Sequence, residues 1–156
     1  VEPLPTDVDA VEGLIARALV NQADGHEVPF VIRSLADDRI VGSTRYMSIV
    51  GAHRVVEIGF TWLAPEAQRT GINTKMKFLL LDHAFRQLGA LRVEFKTDSR
   101  NTKSIRALER IGATREGVLR RHRLCPDGHH RDSVYFSILD IEWEQRTSHF
   151  IRLMRR

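Results

Sequence analysis

A strand that runs into a helix through a tight polar turn is the most constraining feature of this sequence. Residues 60–81, FTWLAPEAQRTGINTKMKFLLL, open with an apolar, β-branched and aromatic run that ends at Leu63. A short proline-bearing loop follows, then the turn Gln68-Arg69-Thr70-Gly71-Ile72-Asn73-Thr74, which leads directly into a long amphipathic helix. Such a turn points several free backbone N–H groups at one spot. The positive end of the helix dipole lies there too, so the turn is a ready-made site for a phosphate or pyrophosphate. The form Gln-x-x-Gly-x-x differs from the GxxxxGK[ST] of nucleotide triphosphatases and from the GxGxxG of dinucleotide folds. The plain alternative is a capped surface helix after a buried strand.

A second segment carries the same kind of punctuation. Residues 91–113, LRVEFKTDSRNTKSIRALERIGA, read as strand, polar turn, helix and glycine stop. Leu91, Val93 and Phe95 alternate with Arg92, Glu94 and Lys96, as in a half-exposed strand. Asn101 or Thr102 caps a helix carrying Ile105, Leu108 and Ile111 on one face, and Gly112 suits its C-terminus. Together the two segments resemble the GNAT superfamily, the acetyl-CoA-dependent N-acetyltransferases. The pyrophosphate loop of that superfamily has the pattern Gln/Arg-x-x-Gly-x-Gly/Ala. The Asn101-x-x-Ser104 spacing, closed by Glu109-Arg110-Ile111-Gly112, is similar to its next block. Within the superfamily the chain looks most like the RimJ/RimL-type branch, which acetylates ribosomal-protein N-termini and other amines. The resemblance runs from about Phe30 to Trp143.

At 156 residues the chain is expected to be one domain over residues 1–156, large enough to bury a core without staples. Its hydrophobic fraction of 42% and charged fraction of 28% are ordinary for a soluble globular protein. No apolar run approaches the ~20 residues needed to span a bilayer. The opening VEPLPTDVDA is acidic and proline-bearing, unlike a basic apolar leader. The lone Cys125 excludes an internal disulfide and fits a reducing compartment, so a cytoplasmic setting is expected. The net charge of +4 and pI near 9.7 come from arginine more than lysine. Arginine concentrates in Arg115–Arg131 and in the tail Arg152-Leu153-Met154-Arg155-Arg156. Solvated surface charge is the default reading, CoA phosphates account for some of it, and nucleic acid ranks third because no stacking aromatics interleave the tail.

The elements follow from periodicity and punctuation. Thr6 is placed to cap a helix over residues 7–20, with Asp9 in the capping-box position and Val8, Val11, Leu14, Ile15, Ala18 and Leu19 as its buried face. FVIRSL, the turn ADDR and IVGSTRYMSI read as a β-hairpin over 30–49, and VVEIGFTWL as a strand over 55–63. A helix over 74–88 ends at Gly89. After the 91–97 strand and the 102–111 helix come strands 117–124 and 132–139, joined by the turn Cys125-Pro126-Asp127-Gly128. From Ile141 a short helix with a basic tail is expected. The order is α, ββ, β, α, β, α, ββ. That is an α/β (α+β) fold: a mixed, mostly antiparallel twisted sheet with helices on both faces. It matches the GNAT order with the first strand and helix absent. A segment of some tens of residues is therefore expected upstream of Val1, or a neighbouring subunit in a homodimer covers the edge near residues 30–34.

The resemblance implies where the substrate acetyl-CoA and its acceptor sit. Thr61, Trp62 and Leu63 would lend backbone hydrogen bonds to the pantetheine arm, which lies in GNAT folds like an extra strand. Gln68, Arg69, Thr70, Gly71, Ile72 and Asn73 would donate N–H groups to the pyrophosphate, with the Thr70 and Thr74 hydroxyls nearby. Gly71 admits close approach and positive φ. Asn73 stands where the wider superfamily prefers Gly or Ala, a mild departure that the RimJ/RimL-type branch shares. Asn101 would contact the pantetheine arm, and Ser104 would protonate the leaving thiolate, against the alternative that Asn101 only caps its helix and Ser104 faces solvent.

The base is read from the strand. Glu57 alternates with Gly59 and Thr61, while Val56, Ile58, Phe60 and Trp62 take the other face. A mid-strand carboxylate beside small residues can line a cleft and accept a proton through water. An exposed glutamate paired with an arginine is the competing reading. His122, on a strand expected to border the acceptor cleft, is the second candidate base. Some RimL-like relatives place a glutamate base one residue further on, where this chain has Arg123, so that role does not carry over. Asp132 is expected to fix neighbouring arginines. His129-His130 lack zinc-site spacing, so no metal is expected, and Cys125 has no placed partner. Trp143 and Phe136 read as core. The function expected is transfer of acetyl to a primary amine, at a protein N-terminus or on a small amine, by direct attack. A CoA-binding module without catalysis is the alternative.

Overall fold

The computed structural model describes residues 7–155. Their elements are α1 (Val8–Ala23), β1 (Val28–Arg33), β2 (Ile40–Val50), β3 (Val55–Leu63), α2 (Ile72–Arg86), β4 (Arg92–Asp98), α3 (Thr102–Arg110), β5 (Thr114–Leu124), β6 (His130–Leu139) and α4 (Asp140–Met154). The six strands form one sheet in the order β1-β2-β3-β4-β6-β5. Only β3 and β4 pair in parallel, because the α2 crossover joins them; the other neighbours are antiparallel. The mixed, mostly antiparallel sheet is therefore the architecture expected.

One face of the sheet carries the core. Val56 and Ile58 of β3, Val93 and Phe95 of β4, and Val134, Phe136 and Ile138 of β6 pack with Leu80, Leu81 and Ala84 of α2, Leu108 of α3, and Trp143 and Phe150 of α4. Trp143 and Phe136 are core, as expected. The Tyr46 hydroxyl crosses from β2 to donate to the Leu80 carbonyl of α2 at 2.5 Å. The last helix is fifteen residues long rather than short. It earns its length against α2: Trp143 Nε1 donates to Asp82, and Arg86 bridges Asp82 and Glu144.

Three expectations change. The α1 cap is Asp7, whose carboxylate accepts from the Ala10 N–H at 2.8 Å; Thr6 lies outside the described residues. Only Ala18 of the face assigned to α1 is buried, while Val8, Val11, Ile15 and Leu19 are exposed. The helix packs against β1 at the end of the sheet, and no second layer among the described residues covers those side chains. In β3 a bulge breaks the alternation: Arg45 pairs with Gly59 but Ser43 pairs with Trp62, so β3 holds one extra residue. Phe60 takes φ +50° there and its ring lies under the Arg45 guanidinium, 4.1 Å away. Phe60 and Trp62 thus sit on the Glu57 face, not the core face, and Thr61 turns instead to Thr44, hydroxyl to hydroxyl at 2.8 Å.

A buried cation stands out in α2. Lys77 is 6% exposed, makes no ion pair among the described residues, and lies 4.9 Å from the centre of the Phe95 ring. Burial pulls its pKa down from 10.5 to about 8. A protonated Lys77 therefore disfavours the fold below pH 8, and the penalty fades as pH rises from 8 to 10.5, where the unfolded chain still holds the proton and the folded one does not. Lys77→Met is expected to gain roughly 1–3 kcal/mol of stability below pH 8, after allowance for the lost cation–π contact. Thermal melts of both proteins between pH 7 and 10.5 check this: the gap in Tm should narrow with rising pH.

Candidate active site

β3 and β4 open into a wedge. Their parallel pairing holds for Val55 with Arg92, Val56 with Val93 and Glu57 with Glu94, and then stops. Beyond Glu57, β3 runs on to Leu63 paired only with β2, while β4 runs on to Asp98 paired only with β6. The inner edge of β3 from Ile58 to Leu63 thus faces no strand among the described residues. Apart from the Leu63 carbonyl, which the Gln68 side chain holds, its outward backbone N–H and C=O groups face no strand and are open to an extended ligand arm. Trp62 and Leu63 lie on this edge.

The turn at the mouth of the wedge has the expected shape. Gly71 is the N-cap of α2 at φ +85°, and a Cβ added there would meet nothing within 4 Å. Arg69 also takes positive φ, at 64°. The first intrahelical bond runs from the Lys75 N–H to the Gly71 carbonyl, so the N–H groups of Ile72, Asn73 and Thr74 have no partner inside the helix. Open space, free donors and a dipole end coincide, and these suit a pyrophosphate.

Three side chains of the turn brace it. Gln68 donates from Nε2 to the Leu63 carbonyl at 3.0 Å and accepts from Lys103 of α3 at 3.3 Å. The Thr70 hydroxyl donates to the Ala67 carbonyl at 2.7 Å. Thr74 is buried and accepts from Arg110 of α3 at 3.0 Å. The Thr70 hydroxyl thus donates within the protein and Thr74 Oγ1 only accepts there, and the free backbone donors of the turn are the amides from Arg69 to Thr74. Lys103 and Arg110, two cations reaching across from α3, had no signal in the local sequence.

At the start of α3, Asn101 is the N-cap and its Oδ1 accepts from the Ser104 N–H at 3.1 Å. The Ser104 hydroxyl makes no hydrogen bond among the described residues, so it is free to donate. Asp98, at the end of β4, holds the Arg100 N–H and guanidinium and so shapes the turn between β4 and α3.

Glu57 lies at the apex of the wedge, at the last paired position of β3 and β4. It is 4% exposed. Its Oε2 accepts from Ser48 at 2.9 Å and pairs with Lys96 Nζ at 2.9 Å. Its Oε1 lies against Gly59, where a Cβ would press within 3.2 Å. The competing reading of an exposed glutamate paired with an arginine is thus corrected: the carboxylate is buried and its partner is a lysine. Hydrogen bonding to Glu57 holds the Lys96 pKa above its ordinary value, against the opposing effect of its burial.

Lys96 continues a polar row across the sheet. Its ammonium is 5.4 Å from the centre of the Tyr135 ring on β6. The His122 ring on β5 meets Tyr135 edge-on at 5.9 Å, and its Nδ1 is hydrogen-bonded to the Ser133 hydroxyl at 3.0 Å. Glu57 and His122, the two candidate bases, are therefore on the same face, linked through Lys96 and Tyr135. Asp132 accepts from the Arg121 backbone N–H at 2.7 Å, so it fixes the chain at an arginine rather than a guanidinium.

The sequence profile of the Acetyltransferase (GNAT) domain matches residues 1–114. The chain belongs to the GNAT family. Among curated relatives it is 36% identical over 110 residues to "Putative ribosomal N-acetyltransferase YdaF" of Bacillus subtilis, covering 70% of this chain and 59% of that protein. It is 32% identical over 120 residues to "Probable N-acetyltransferase YjcK" of the same organism, covering 76% of this chain and 65% of that one. The chain therefore spans less than two thirds of the length of these relatives. A crystal structure of a GCN5-related N-acetyltransferase from Brucella melitensis superposes with a TM-score of 0.88 at 29% identity, over 96% of this chain and 66% of that one. Mycobacterium smegmatis RimJ, solved in complex with CoA-disulfide, superposes with a TM-score of 0.81 at 29% identity, over 96% of this chain and 70% of that one. These neighbours support the GNAT fold and its RimJ/RimL-type branch. No helix of this GNAT chain, among the described residues, is long and apolar enough to cross a membrane.

Proposed function

We propose that this GNAT domain moves an acetyl group from acetyl-CoA to a primary amine by direct attack. The observation that carries the reading is the placement of Glu57 at the apex of the wedge, with the free amides of the α2 turn at its mouth. The amides of Arg69 through Thr74 hold the pyrophosphate, since the Gln68 N–H is taken by the Pro65 carbonyl at 3.2 Å, and the open edge of β3 at Trp62 and Leu63 takes the pantetheine arm as an added strand. Asn101 orients the start of α3 by capping it, which sets Ser104 toward the sulfur. Acetyl-CoA supplies the activated thioester. The amine nitrogen bonds to the thioester carbon, the C–S bond breaks, and no covalent enzyme intermediate forms. Glu57 takes the proton of the attacking nitrogen at Oε1, directly or through water, since Oε2 is held by Ser48 and Lys96. Ser104 passes a proton to the leaving thiolate and regains one from solvent, and Glu57 releases the proton it took, which restores both groups.

The acceptor class we infer is a protein N-terminus, in line with the RimJ/RimL-type likeness; a small amine is the other acceptor of the same chemistry. Release of free thiol from acetyl-CoA, measured against a panel of free-amine peptides and small amines, tests the reading. Acetyl-CoA binding with no thiol release from any amine would move the protein to the class of CoA-binding modules without catalysis.

A further inference from the structure

The arginine-rich segment is left unused by acetyl transfer, and the fold collects it on one exposed strand. β5 is the last strand of the sheet, paired with β6 alone, and all eleven of its residues are exposed. Arg115, Arg120, Arg121 and Arg123 make no ion pair among the described residues. The nearby carboxylates are already committed: Glu116 to Arg92 and Ser137, Glu94 to Arg92, Asp98 to Arg100, and Asp132 to the Arg121 N–H. The strand kinks where its register with β6 shifts between Leu119 and Arg123, and Arg121 takes φ +48° there.

Two hollows meet at this kink. One, of about 640 Å³, is lined by Val118, Leu119, Arg120, Arg121 and Asp132. The other, of about 320 Å³, shares Val118 and Leu119 and reaches Tyr135. A shallow groove thus runs from the free arginines, past Val118 and Leu119 and the paired Arg92 and Glu116, to Tyr135, which adjoins Lys96 and through it Glu57. We propose that this groove seats the acceptor, and that the acceptor is the N-terminal segment of a polypeptide with acidic residues close behind its free amine. The proposal rests on the acetyl-transfer reading and names its substrate class.

Charge decides among the occupants. A polyamine would meet Arg120, Arg121 and Lys96 with like charge. A second copy docked antiparallel through β5 would set arginine strand against arginine strand, which is unfavourable across a ladder. Nucleic acid satisfies the arginines but brings no aliphatic amine to Glu57. An acidic polypeptide satisfies both ends. The spacing follows from sheet geometry: three strand intervals separate β5 from β3, about 14 Å, which an extended chain covers in roughly four residues. The acidic residues are therefore expected near positions 4–6 from the amine.

The test compares free-amine octapeptides carrying Glu or Lys at about positions 4–6, with thiol release followed at saturating acetyl-CoA. The Glu peptide is expected to show at least a tenfold higher kcat/KM at low salt, mostly through KM, with the gap shrinking as salt rises. Arg120→Glu with Arg121→Glu should invert the preference, while calorimetry shows acetyl-CoA affinity unchanged. An equal or better Lys peptide with the native protein overturns the proposal, as does a charge-reversed variant that keeps the Glu preference. Loss of peptide turnover to a competing RNA oligonucleotide, without competition from a poly-Glu peptide, assigns the groove to nucleic acid instead. A dimer by light scattering that dissociates on the charge reversal assigns it to a second copy. If no peptide is acetylated at all, anisotropy of C-terminally labelled Glu and Lys peptides decides docking on its own, separately from the failure of acetyl transfer.

Discussion

Glu57→Gln is expected to lower turnover by roughly 10²–10⁴-fold, the usual cost of losing a general base, with little change in acetyl-CoA affinity. The amide keeps the shape of the side chain and can still accept from Ser48, so the wedge stays open. What it loses is the ability to take a proton at Oε1. It also leaves Lys96 without its partner, which is tolerable because Lys96 is partly exposed and keeps its contact with Tyr135. Single-turnover kinetics at saturating acetyl-CoA separate the chemical step from binding. If Glu57→Gln keeps wild-type turnover while His122→Phe loses it, the base is His122, on the same face and hydrogen-bonded to Ser133.

The second large effect is expected at Gly71. Gly71→Glu should abolish acetyl-CoA binding and leave the domain folded, because the new carboxylate occupies the spot at which the helix amides point and repels a phosphate there. The position is not crowded: a Cβ would meet no atom within 4 Å. The fold therefore pays only the left-handed backbone strain at φ +85°, about 1–2 kcal/mol. Gly71→Ala carries the same strain without the charge and is the control. Calorimetry should show Gly71→Ala binding weakly and Gly71→Glu not at all. Unchanged affinity in Gly71→Glu would remove the turn from the cofactor site.

Much of this molecule was written locally. The α2 turn, the Asn101 cap, the Cys125–Gly128 turn and the bounds of β3 were legible because each depends on residues a few positions apart. A left-handed glycine before a helix, a polar residue three positions before a free amide, and a run of β-branched and aromatic residues act through the backbone itself. Periodicity likewise assigned Val93 and Phe95 to the buried face of β4, and the mixed sheet followed from the element order.

The site's partners were not written there. Nothing near Glu57 in the chain announces Lys96, because their contact depends on the register of a parallel pair joined through α2, and register is set by how the whole core packs. The bulge that turned Phe60 and Trp62 to the Glu57 face has the same origin: it is a mismatch between β3 and β2, not a property of either strand alone. The exposed side of α1 was misjudged because a helical stripe says that a face is apolar, not that another element arrives to cover it. Sequence determined which residues form the strands, turns and helix caps, since those are short-range steric and hydrogen-bonding matters. Tertiary structure alone decided which side chains meet, since a buried carboxylate takes whatever cation the packed sheet brings within reach.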